Sequence, residues 1–110
     1  SDRELHVVTF GMQISGWRPD IPREAQFDAS VLSAKATPEM RRLRGTDPRL
    51  QTSIRAGPGF KEFMESVVRD IEENDRSKVA IYCQAGHHRS VACAELLEHL
   101  YPKRTVDHID

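Results

Sequence analysis

A chain of 110 residues is long enough to bury one core and too short for two, and no linker or internal repeat divides it, so residues 1–110 are expected to form a single domain. Its 16 Lys and Arg against 17 Asp and Glu leave a formal charge of -1, which excludes a global basic field and makes any polyanion contact a local one. Two cysteines, Cys83 and Cys93, are too few and wrongly spaced for a zinc site or a disulfide framework, so no metal or cofactor is expected.

Free thiols point to the cytoplasm or another reducing compartment. No apolar run is long enough to span a bilayer and no secretory leader is visible, while the start at Ser1 rather than Met suggests a trimmed piece of a longer protein.

In chain order, Leu5 to Phe10 is apolar and β-branched and runs into Gly11, which predicts a buried strand ending at a loop. Pro19 and Pro22 make Gly16 to Arg23 irregular, and Ala25 to Val31 is expected to be extended. Within Ala36 to Thr46, the Thr37-Pro38-Glu39 start predicts a short helix through Arg44, stopped by Gly45. After Gly57-Pro58-Gly59, the apolar residues Phe60, Phe63, Met64, Val67, Val68 and Ile71 fall on one helical stripe, predicting a helix to about Asn74. Lys78 to Cys83 has the pattern of a central strand, the segment from Arg89 to Pro102 that of a helix, and Arg104 to Ile109 that of a last strand. The alternation implies an α/β fold, a small and mostly parallel sheet flanked by helices.

Ligands in such sheets bind where strands end and loops converge. Cys83 lies at that end, followed by Gln84, Ala85, Gly86, His87, His88, Arg89 and Ser90. A strand feeding a short glycine-containing turn into a helix start directs backbone N–H groups at one spot, where the helix dipole favours negative charge. Arg89 adds a planar fork matched to phosphate oxygens. Adjacent residues leave a helix start in different directions, so one of His87 and His88 is expected to face the ligand, with His88 preferred. The loop Phe10 to Gly16 supplies a second wall if its strand runs parallel to that of Lys78 to Cys83.

The signature Cys-x-x-Gly-x-x-Arg-Ser resembles the phosphate loop of cysteine-dependent phosphatases, with Tyr82 in place of their His. That resemblance implies Cys83 as nucleophile, Arg89 gripping equatorial oxygens, Ser90 easing thiolate departure, and an acid drawn from Asp20, Asp28 or Asp47. Trp17-Arg18-Pro19-Asp20 is a poor match to the family's Trp-Pro-Asp acid loop, because Arg18 interrupts it.

A wider resemblance covers most of the chain. Phe10-Gly11-Met12-Gln13-Ile14-Ser15-Gly16, Gln26-Phe27-Asp28, Gly45-Thr46-Asp47, Asn74-Asp75-Arg76-Ser77 and Cys83 through Val91 resemble, in order, motifs of the C-terminal domain of the RNase adapter RapZ. That family's loop runs Gly-Cys-x-Gly-Gly-x-His-Arg-Ser-Val. Here Ala85 stands for its first paired glycine, Gln26 for an apolar residue, and Asp28 to Lys35 lacks an Arg and a Pro-Asn-Pro turn, so one pocket wall is expected to differ. The resemblance implies a phosphorylated small-molecule ligand, glucosamine-6-phosphate in the bacterial domain, and a part in small-RNA recognition. A protein partner or an oligomer is compatible with it, and a membrane is not expected.

Plainer roles stand beside these. Cys83 can be a small apolar residue at a strand end, and Asp28 and Asp47 can anchor turns. Arg89 can cap a loop or pair with Asp28 or Asp47, although an Arg at a helix start opposes the dipole unless an anion offsets it. Arg41, Arg42 and Arg44, with Arg49 and Arg55, form a basic interval suited either to RNA phosphates or to a solvated helix face. His6, His99 and His108 are expected to pack or face solvent. The leading expectation is a phosphate or phosphosugar sensor or adapter domain, ahead of a cysteine phosphatase and an RNA-binding module.

Overall fold

The computed structural model describes residues 2–13, 17–32, 38–39, 42–84 and 88–109. Four strands, β1 (Leu5–Gly11), β2 (Gln26–Asp28), β3 (Lys78–Cys83) and β4 (Arg104–His108), form one sheet in the order β2-β3-β1-β4, and every pairing is parallel. Three helices, α1 (Pro48–Arg55), α2 (Phe60–Glu73) and α3 (Arg89–Leu96), complete an α/β fold. The expected β1, α2 and β3 form where periodicity placed them, with β1 reaching one residue further, to Gly11.

The central strands carry the core. Val7, Val79, Ala80 and Ile81 are fully buried, as are Val67 and Ile71 of α2 and Ala92, Cys93 and Ala94 of α3. A strand covered on both faces has to be apolar on both, which is why β3 is a continuous apolar run and does not alternate. The fully buried polar residue of the strands, Thr9, is satisfied: its Oγ1 lies 2.6 Å from His108 Nδ1, and His108 Nε2 lies 2.9 Å from Glu95 Oε1, linking β1, β4 and α3.

Strand order decides which face each connection covers. The steps from β2 to β3 and from β3 to β4 run one way across the sheet, whereas the step from β1 to β2 runs back over β3. Right-handed crossovers then place the helices on one face and the described residues 17–25 on the other. Contacts agree with this placement: α3 packs on β3, β1 and α1, while the Trp17 ring meets Phe10 edge-on at a centroid distance of 5.4 Å.

Three expectations are corrected. Extended backbone in Ala25 to Val31 is confined to Gln26–Asp28, because Asp28 turns the chain: its Oδ1 accepts from the Ser30 amide at 2.9 Å and from the Ser30 hydroxyl, capping a one-turn 3-10 helix, Ala29–Val31. The helix from Arg89 gives way at Leu96 to a 3-10 turn, Leu97–His99, short of Pro102. The short helix expected before Gly45 falls largely on residues outside those described, and the described Leu43 and Arg44 are not helical. The helix in this region starts after Gly45, at Pro48, where Asp47 Oδ1 accepts from the Arg49 amide at 2.9 Å and proline occupies the first turn.

Candidate functional site: the C-terminal edge of the central strands

Because β1 and β3 are parallel and in register, with Gly11 opposite Cys83, both strands deliver their following loops to the same edge. The loops run side by side, since the Met12 amide donates to the Cys83 carbonyl at 2.9 Å and the Gln13 amide to the Gln84 carbonyl at 3.1 Å. Segment Phe10 to Gly16 therefore flanks the signature loop through Gln13, as its sequence implied. Ile14 to Gly16 lie outside the described residues, and so do Ala85, Gly86 and His87 of the loop itself.

The described part of the signature converges on the start of α3. Cys83 is buried, with Sγ 3.3 Å from the Oγ of the fully buried Ser90. His88 is the N-cap residue; its carbonyl accepts from the Ala92 amide at 2.9 Å, but its side chain makes no capping hydrogen bond to the first turn. Helix starts ordinarily have their free N–H groups satisfied by a side chain, water or a ligand. Burial, together with nearby Cys83, pushes the Cys93 thiol up to about 12, so Cys93 is a neutral core residue.

Arg89 caps a loop, one of its plainer expected roles, through acceptors that sequence did not identify. Its Nη1 donates to the carbonyls of Ser30 at 2.8 Å and Leu32 at 3.1 Å, tying the start of α3 to the segment after β2. These carbonyls, and not Asp28 or Asp47, are its protein partners here, and they offset part of its unfavourable position on the helix dipole. A guanidinium carries five N–H donors, and these two bonds use those of one nitrogen.

Gly45 holds the other side of the turn. A Cβ there would lie 2.4 Å from the His88 carbonyl oxygen, 2.5 Å from the Ala92 nitrogen and 2.6 Å from Val91 Cβ, so only glycine lets this backbone rest on the first turn of α3. Two residues on, Asp47 caps α1, and its carboxylate also binds the Arg49 guanidinium at 2.9 and 3.1 Å. That pairing holds the Asp47 carboxyl below the usual carboxylate range. The Gly-x-Asp motif is thus one close approach and one helix cap.

Other expected residues are spread out. Asp28 lies at the C-terminal end of β2, opposite Tyr82, with its Oδ1 engaged by Ser30. Asp20 is exposed on the connection between β1 and β2. Of the basic interval, Arg41 is outside the described residues, Arg42 and Arg44 are exposed before α1, Arg49 pairs with Asp47 and lies 3.8 Å from Glu39, and Arg55 ends α1. These residues do not share one helix face. His6 contacts Asp107 at 2.6 Å and His108 joins the Thr9 network, so both are structural. Among the described residues, no helix is long and apolar enough to cross a membrane.

A small parallel α/β domain in which a central strand is followed by a helix at the C-terminal edge of the sheet is the class that this geometry defines. The chain belongs to the RapZ C-terminal domain family, whose profile matches residues 3–109. It is 35% identical to a nucleotide-binding protein of Paramagnetospirillum magneticum over 93% of this chain and 40% of that protein. Similar matches are nucleotide-binding proteins of Shewanella woodyi, 32% identical over 91% of this chain and 39% of the relative, and of Lawsonia intracellularis, 28% identical over 92% and 34%. The chain spans two fifths or less of the length of these curated relatives.

Proposed function

We propose that the domain binds a phosphorylated small molecule, a sugar phosphate by family resemblance, at the turn from β3 into α3, and that it acts as a sensor or adapter. The observation that carries this is the first turn of α3, whose N-cap residue makes no side-chain capping hydrogen bond and which lies at the C-terminal end of a central parallel strand beside Cys83, Ser90 and Arg89. A phosphate dianion there would accept from the first-turn amides and from the Arg89 fork, while Arg89 stays braced on the Ser30 and Leu32 carbonyls. Bracing fixes the guanidinium before the ligand arrives, which lowers the ordering cost of binding. The names of the relatives agree with a phosphate-bearing ligand, although most of each relative lies outside the match. Two buried cysteines that form no disulfide fit a reducing compartment.

Titration with glucosamine-6-phosphate and with inorganic phosphate, followed by amide NMR, tests the site. The amides of Arg89, Ser90 and Val91 should shift saturably, and Arg89→Ala should weaken binding more than tenfold, as loss of a charge-assisted bond implies. Unmoved first-turn amides at millimolar ligand would sink the proposal. The contact between Cys83 Sγ and Ser90 Oγ also suits a phosphocysteine route. In that route the thiolate displaces the alcohol from phosphorus and water then releases phosphate. Turnover of an aryl phosphate that disappears in Cys83→Ser while affinity persists would make the domain an enzyme.

A further inference from the structure

A second cleft lies on the opposite face of the sheet. Side chains alternate along a strand, so the register partners Phe10 and Tyr82 point away from the face that Cys83 shares with α3. Their rings stack at 5.2 Å with an interplanar angle of 28°, and Trp17 closes on Phe10 from the side. Phe10 is buried and Tyr82 half-buried, and they line a cleft of about 440 Å³ with Met12, Arg18, Arg23 and Gln26. That volume suits a small molecule and not a peptide. Among the described residues that line the cleft, two carry guanidinium groups and none a carboxylate.

We propose that this cleft binds a flat aromatic anion, its ring against Tyr82 and its charge met by Arg18 and Arg23. Each part follows from the lining. Aromatic rings stack on one another in offset fashion, guanidinium planes lie well on aromatic faces, and the charge balance selects a negative group. Polar side chains are already oriented around the mouth: Arg18 Nη1 donates to the Trp17 carbonyl at 2.6 Å, and Gln26 Nε2 to the Ile21 carbonyl at 2.9 Å. The family pattern has glycine where Tyr82 stands, and glycine offers no ring. The site does not depend on the loop at α3.

Trp17 is the one Trp of the chain and touches Phe10, so its fluorescence reports on the cleft. AMP and phenylphosphonate, both flat anions, should change that fluorescence saturably. Adenosine, a ring without charge, and inorganic phosphate, a charge without a ring, should bind at least tenfold more weakly. Tyr82→Leu, which keeps apolar volume, and the double variant Arg18→Ala/Arg23→Ala, at exposed positions, should each weaken AMP binding at least tenfold. Arg89→Ala should leave it within twofold. The proposal is overturned if neither AMP nor phenylphosphonate saturates, if inorganic phosphate matches them, or if AMP binding is lost in Arg89→Ala and kept in the cleft variants.

Discussion

The two faces of the sheet solve different problems at the same edge. On the helix face, Gly45 rests on α3 with no room for a methyl group, Ser90 is fully buried, and Arg89 is braced on two carbonyls. On the crossover face, a half-buried tyrosine and two exposed arginines border open space. The first arrangement fixes the backbone around the start of α3, as the proposed amide-based anion site requires. The second leaves volume that a ring can fill. Placing both beside one parallel pair, β1 and β3, lets rigidity and vacancy coexist within a few residues of chain.

The contrast can be broken most severely at Gly45. Gly45→Ala should destabilise the fold by about 3 kcal/mol or more, because the colliding atoms are backbone and cannot swing aside, and a denaturant titration measures this. Asp47→Ala should lower Tm by several degrees through loss of the α1 cap. The native Asp47 carboxyl titrates below its unfolded value, so its contribution is full above the ordinary carboxylate range and fades as pH falls through the folded value. The gap between native protein and Asp47→Ala should therefore narrow in acid. Smallest of all, Arg18→Ala and Arg23→Ala should each change stability by under about 0.5 kcal/mol, since both side chains are exposed. A loss of several kcal/mol from either would make the crossover face as tightly built as the other. Alkylation sharpens the picture further: Cys93, pushed up to about 12, should resist iodoacetamide at pH 9 until the protein unfolds.

Periodicity made β1, β3 and α2 legible, since each is a run whose burial follows from local pattern alone. It failed at α1, an eight-residue helix with two buried residues, Leu50 and Ile54. Its signals, Asp47 before Pro48 and an apolar pair four apart, are present in the sequence, but the same Asp47 also fits a turn anchor or a site residue. The brace on Arg89 was illegible for another reason. Its acceptors are backbone carbonyls 57 and 59 residues away, and any residue type supplies a carbonyl. The aromatic floor likewise joins Phe10 to Tyr82 through strand register, which no local window contains.

Register also sets when this chain can fold. Leu5 pairs with Arg104 and His6 with Lys78, so the first strand finds neither neighbour until most of the polypeptide has been made. Loops of that span must close before any ladder bond rewards them, which is slow. Emerging from a ribosome, an apolar β1 waits unpaired, and the exposure of that strand to chaperones or to its own copies is a kinetic cost of setting it inside the sheet between two later strands.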